Sequence, residues 1–134
     1  MNGDVWYLDT SAFVKLLHAE AETAVLRAWL AAQPVPAVSS DVLRTEALRV
    51  ARRVGPVALA RCRQLLGQIG LLRVDVSVFE AAGELDPVVL RSLDALHLAA
   101  ALTLGDDLAG VVTYDRTLQA AGEALGLAVS APHP

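Results

Sequence analysis

Four carboxylates fall where a carboxylate needs a reason: Asp9, Glu46, Asp94 and Asp115. Asp9 closes the apolar run Val5-Trp6-Tyr7-Leu8, and Asp115 follows a similar run ending at Tyr114. Asp94 lies within Leu-Asp-Ala-Leu-His-Leu-Ala-Ala-Ala-Leu-Thr-Leu, a segment that is apolar on nearly every side of a helix. Glu46 borders the stripe Leu43, Ala47, Val50 and Val54, whose spacing is that of one helical face. An acid leaning toward a core usually has a partner or a cation. Two like charges about 4 Å apart repel by roughly 4 kcal/mol at an effective dielectric near 20. Four acids that met without compensation would therefore have raised pKa values and partly neutralise. A hard divalent cation removes that penalty, and all-oxygen ligation suits Mg2+ or Mn2+ better than zinc. Such an ion can acidify a bound water and stabilise charge building on a phosphate.

Each acid also has a purely structural explanation. Asp is favoured as a helix N-cap, which fits Asp9 and Asp115. A helix dipole favours an anion in the first turn by about 0.3–1 kcal/mol, which fits Asp94. Glu46 could pair with Arg49 one turn along. His97, three residues after Asp94, is open to three roles: metal ligand, general base or satisfied core residue.

The elements that must position these residues follow from pattern and punctuation. Strands are expected over 4–9, 35–39, 71–76, 110–114 and 127–130. Helices are expected over 10–18, 21–33, 41–54, 56–69, 93–104 and 117–125, with a further short helix opening at the Ser77-x-x-Glu80 capping pattern. Ser40 and Ser92 are expected to cap their helices, Gly55-Pro56 to break the chain, and Asp86-Pro87 to turn it. Strands separated by helices imply a parallel sheet covered on both faces. Ligands of such sheets bind beyond the carboxyl ends of the strands, where Asp9 and Asp115 would sit.

Composition bounds the rest. The chain has 134 residues, 54% of them hydrophobic and 4% aromatic, so one domain spanning 1–134 is expected and disorder is excluded. No apolar run is long enough for a membrane span, and the start lacks the pattern of a signal peptide, so a cytoplasmic protein is expected. Cys62 is the sole cysteine, which excludes an intramolecular disulfide and a thiolate zinc site. The net charge is -4, yet Arg44, Arg49, Arg52, Arg53, Arg61 and Arg63 cluster with Glu46 as the single acid among them. That stretch reads either as a solvated helix face or as a track for phosphates.

The residues together resemble the PIN-domain nucleases, specifically the VapC-type toxins of bacterial toxin–antitoxin pairs. The resemblance is carried by Tyr7-Leu8-Asp9-Thr10-Ser11-Ala12, by Ser92-Leu93-Asp94-Ala95-Leu96-His97-Leu98-Ala99-Ala100-Ala101, and by Val112-Thr113-Tyr114-Asp115-Arg116. Between them, Ser40 to Glu46 looks like the family's helix with the second acid. It implies an α/β protein, a three-layer α/β/α PIN-like domain around a parallel sheet of about five strands. It implies that Asp9, Glu46, Asp94 and Asp115 hold Mg2+ or Mn2+ and are the catalytic acids, with Ser11 and Thr113 orienting carboxylates or waters behind them. It implies an endoribonuclease acting on transfer or ribosomal RNA, a VapB-type antitoxin as partner, and a homodimer. Lys15, Arg49, Arg53, Arg91 and Arg116 are candidates for contact with RNA.

Hydrolysis by an activated water would leave 5′-phosphate and 3′-hydroxyl ends. Three rival readings carry distinguishing features. A signalling receiver domain needs a lysine near the carboxyl edge of the sheet, and the single lysine, Lys15, lies in the first helix. An Asp-x-Asp phosphatase lacks its second acid in Asp9-Thr10-Ser11. A PIN-like module that binds RNA or an antitoxin without cutting would show no nuclease activity with Mn2+.

Overall fold

The computed structural model describes residues 3–134. Its centre is a five-stranded sheet in the order β3-β2-β1-β4-β5, with every pairing parallel. The strands are β1 (Val5–Leu8), β2 (Val38–Ser40), β3 (Gly70–Leu72), β4 (Leu108–Val112) and β5 (Val129–Ser130). The helices are α1 (Thr10–Phe13), α2 (Thr23–Ala31), α3 (Val42–Val54), α4 (Pro56–Leu66), α5 (Val76–Gly83), α6 (Ser92–Leu102) and α7 (Arg116–Ala124). The expected α/β architecture is thus the observed one.

Strand alternation divides the core. Tyr7 and Val111 sit side by side on one face of the sheet, under Leu98 of α6 and Leu118 of α7. Leu8 and Val112 sit side by side on the other face, against Ala12 and Leu26. A third cluster joins Phe13 to Leu43, Ala47, Ala51 and Cys62, so Cys62 is a small hydrophobe within helix packing. Full burial of a Leu or Val contributes about 1.5–3 kcal/mol. The helix α3 face runs Leu43, Ala47, Ala51, whereas Val54 of the expected stripe is 45% exposed. The i, i+4, i+8 spacing tilts the buried line by one residue toward the helix end.

Several expected caps are placed otherwise. Ser40 belongs to β2, and Asp41 holds the cap position of α3 without a side-chain bond to the helix backbone, its Oδ1 accepting instead from Arg44 Nε at 2.9 Å. Ser40 cannot cap because its hydroxyl meets that of Tyr7 at 2.7 Å. The helix after β3 opens at Asp75, whose Oδ1 accepts from Val78 N–H, and Ser77 donates to that same Oδ1. Strand β3 ends at Leu72, short of the expected Val76. Ser92 is the first residue inside α6, with extended Arg91 before it. The expected helix over 10–18 is one α-turn followed by a 3₁₀ turn, Val14–Leu16. The fourth strand starts at Leu108, so Gly110 lies inside it, where a Cβ would collide with Ala128 and the Trp6 ring. No helix of the described residues is long and apolar enough to cross a membrane.

Candidate active site

The strand order reverses at β1: the chain winds outward through β2 and β3, then returns to the other side with β4 and β5. Such a switch point opens a crevice beyond the strand ends. Asp9 follows β1 there, and its N–H donates to the Val112 carbonyl at 3.2 Å, fixing it beside the end of β4. Asp9 is 3% exposed. Its Oδ1 accepts from Ala12 N–H at 3.0 Å and from Ser11 Oγ at 2.7 Å. Its Oδ2 accepts from Thr113 Oγ1 at 2.6 Å. The capping role and the site position therefore coincide in one residue. Burial pushes the Asp9 carboxyl above its usual range, and the donations from Thr113, Ser11 and Ala12 pull only part of the way back.

The other acids arrive from three helices. Asp115 caps α7, its Oδ1 accepting from Thr117 and Leu118 N–H at 2.8 and 3.1 Å. Glu46 leans from α3, where its Oε1 accepts from Thr10 Oγ1 at 2.6 Å and lies 2.9 Å from His97 Nε2. Half-burial pushes the Glu46 carboxyl up, but the bonds from His97 and Thr10 outweigh it and hold it below the ordinary range. Glu46 thus pairs with His97 and not with Arg49.

Asp94 differs from all of these. It sits in the first turn of α6, and among the described residues no hydrogen bond reaches its carboxylate. Burial raises its pKa first, and the charges of Asp115, Asp9 and Glu46 raise it further, with His97 acting the other way. All four acids line one cleft of about 330 Å³, with Thr10, Ser11, Arg91, Ser92, Leu93 and His97 completing the wall.

The donor set fits a hard cation: four carboxylates, one of which, Asp94, has no hydrogen-bond partner among the described residues, in a cleft with room for water. Among the described residues no three acids or imidazoles are drawn tightly enough to enclose a bare ion directly. An ion that keeps several waters and takes one or two carboxylates directly would not need such an enclosure.

The remaining predicted residues separate into groups. Ser11 and Thr113 both hold Asp9, and Thr113 Oγ1 also accepts from Asp115 N–H at 3.1 Å, tying two acids together. Arg91 stands in the cleft wall. Arg49 and Arg53 line a separate hollow with Arg52 on the outer face of α3, and Arg116 is exposed at the start of α7. The structure does not bring Lys15 to the cleft: it is bonded to Glu22 at 2.8 Å and lies over the Tyr114 ring. Sequence reasoning missed Thr10 and Tyr7. A strand Tyr facing a core needs a partner for its hydroxyl, and that requirement was the available signal.

Comparison with known proteins gives the family and the fold. The model of the family described as PIN domain matches residues 6–124. Over 94% of this chain and 96% of its own length, ribonuclease VapC46 of Mycobacterium tuberculosis is 45% identical across 126 residues. Ribonuclease VapC47 of the same species is 41% identical across 130 residues, with the same coverage. The crystal structure of Mycobacterium tuberculosis VapC20, a sarcin-ricin loop cleaving toxin, superposes with a TM-score of 0.73 at 20% identity, covering 87% of this chain and 95% of that one. A VapBC-5 structure from the same organism gives 0.64 at 19% identity, covering 94% of this chain and 97% of that one. By the family model that matches most of its length and by the identity to these relatives, this chain belongs to the PIN-domain family, among the VapC ribonucleases.

Proposed function

We propose that this protein is a divalent-metal-dependent endoribonuclease and the toxin of a toxin–antitoxin pair. The observation that carries the reading is Asp94: a half-buried carboxylate without a hydrogen bond, facing three other acids across one cleft. A chain that gained nothing from this arrangement would replace Asp94 with an apolar residue at no cost to packing.

Asp9, Glu46, Asp94 and Asp115 would hold the ion, Mg2+ or Mn2+. When bound, it supplies a more acidic water and a positive charge opposite the phosphate. Ser11 and Thr113 keep Asp9 in one orientation, and the Thr113 bond to the Asp115 backbone keeps those two acids in register. The attacking water gives its proton to a carboxylate, either Asp94 or the outward oxygen of Glu46, since Glu46 Oε1 already accepts two bonds. Arg91 at the wall meets the scissile phosphate and stabilises its added charge. Arg49, Arg53 and Arg116 guide the flanking backbone by charge alone.

Water as nucleophile makes the 2′-hydroxyl unnecessary, so the products carry 5′-phosphate and 3′-hydroxyl ends. Transfer or ribosomal RNA is the substrate class, a VapB-type antitoxin the partner, and a homodimer the working form. The test is incubation with total RNA, with and without Mn2+, beside an Asp94→Ala control, followed by mapping of new 5′ ends. Cleavage that needs both Mn2+ and Asp94 supports the reading. A folded protein that binds RNA and never cuts it would make this a binding module, and 2′,3′-cyclic phosphate ends would overturn the mechanism.

A further inference from the structure

A buried chain of polar groups runs behind Glu46. Ser40 Oγ meets Tyr7 Oη at 2.7 Å, and Tyr7 Oη meets His97 Nδ1 at 2.6 Å. On the other side of the ring, His97 Nε2 meets Glu46 Oε1 at 2.9 Å and Thr10 Oγ1 at 2.9 Å. Ser40 and Tyr7 are fully buried and His97 is 2% exposed, while the Glu46 side chain is 26% exposed. The chain therefore starts in the core and ends at the cleft.

Satisfaction of buried groups does not account for it. Ser40 and Tyr7 can satisfy each other, and a Leu at position 97 would leave no buried imidazole to desolvate. Glu46, at the cleft wall, can be solvated without His97. What the imidazole adds is direction. Tyr7 meets one ring nitrogen, so the other, as Nε2–H, is turned toward Glu46 Oε1 and Thr10 Oγ1, both at 2.9 Å, and of these the carboxylate oxygen is the charged acceptor. With Thr10 also donating there, Oε1 accepts from two sides, which leaves Oε2 for the cleft that Glu46 lines. A fully satisfied network of this kind holds one geometry.

We propose that His97, backed by Tyr7, is a positioning residue that holds Glu46 in its ion-ready rotamer and so sets the affinity of the site for a divalent cation. The inference rests on the reading of Glu46 as a ligand of that ion. Partners of this type are worth about 10- to 100-fold in metal affinity.

The test measures Mn2+ binding to metal-stripped protein by electron paramagnetic resonance, without RNA, in His97→Leu, His97→Gln, Tyr7→Phe, Glu46→Gln and the Glu46→Gln/His97→Leu double variant. His97→Leu is expected to weaken Mn2+ by about tenfold or more. His97→Gln, whose amide can donate from nearly the Nε2 position, recovers most of that loss, and Tyr7→Phe loses an intermediate amount. In the Glu46→Gln background, His97→Leu has no further effect, because its route to the ion is gone. Equal weakening by His97→Leu in both backgrounds overturns the proposal, as does wild-type binding in His97→Leu or Tyr7→Phe. If His97→Leu fails to fold, Tyr7→Phe with His97→Gln decides: unchanged affinity in Tyr7→Phe, or no binding in folded His97→Gln, overturns it. Wild-type binding in Glu46→Gln would instead remove Glu46 from the ion site, a failure of the underlying reading that the other variants do not mimic.

Discussion

Thr113→Val tests the support of Asp9 with little change of shape. Thr113 is fully buried, and Val fills nearly the same volume, so the lost hydroxyl is the perturbation. That hydroxyl donates to Asp9 Oδ2 at 2.6 Å and accepts from Asp115 N–H at 3.1 Å. A hydrogen bond to a charged group is worth about 1.5–3 kcal/mol, and the Asp115 N–H loses its acceptor as well. A loss of about 2–3 kcal/mol in metal-free protein follows. At about 4 °C per kcal/mol for a domain of this size, the midpoint falls by roughly 8–12 °C. Mn2+ affinity falls by about 10- to 100-fold, since Asp9 loses one of the three donors that orient it. Ser11→Ala is milder, because the one Ser11 proton is divided between Oδ1 at 2.7 Å and Oδ2 at 3.0 Å. Thermal unfolding followed by circular dichroism, in chelator and in excess Mn2+, reads both effects. A Thr113→Val midpoint within about 2 °C of wild type, with unchanged Mn2+ dependence, would refute the reasoning.

The metal-free protein should gain stability as pH falls from neutrality toward the ordinary carboxylate range. Asp9 and Asp94 have raised folded pKa values, so the stability they supply is full in acid and lost as pH rises through those values. Glu46 is lowered, so its contribution is present above its unfolded value and constant across this window. Excess Mn2+ should reverse the trend, and a midpoint in chelator that falls steadily over the same range contradicts it. Arg91→Ala should raise KM for RNA and reduce the salt slope of RNA binding by about 0.7 while Mn2+ affinity stays unchanged; an unaltered slope removes Arg91 from the phosphate. Gly110→Ala should destabilise by about 1–3 kcal/mol in a urea melt, because the added Cβ would lie 2.6 Å from the Trp6 ring; a neutral result would mean that β4 shifts freely.

What could be read from the sequence was what is local. Asp9 and Asp115 could be placed because a strand that ends in an acid needs no knowledge of its neighbours. Asp94 could be singled out because an acid in an apolar helix violates the pattern around it. The caps at Ser40, Ser77 and Ser92 were misplaced because several polar residues near each helix start compete for the same backbone donors. Tertiary contacts decide that competition: Tyr7 takes the Ser40 hydroxyl, and Asp75 takes the Val78 N–H. The bridge from Tyr7 through His97 to Glu46 spans separations of 90 and 51 residues, which only the sheet order and the seating of α6 bring together. Lys15 shows the reverse: it lies near a motif in sequence, yet its pairing with Glu20 and Glu22, which sequence proximity does not reveal, keeps it out of the cleft wall.

The central claim is that acids from four separate elements share one divalent ion. Anomalous diffraction from crystals grown with Mn2+ tests it without reference to RNA or activity. The account predicts a peak in the cleft within direct or water-bridged reach of Asp9, Glu46, Asp94 and Asp115, absent in Asp94→Ala crystals. A cleft without such a peak at saturating Mn2+, or a peak held by other residues, would contradict it.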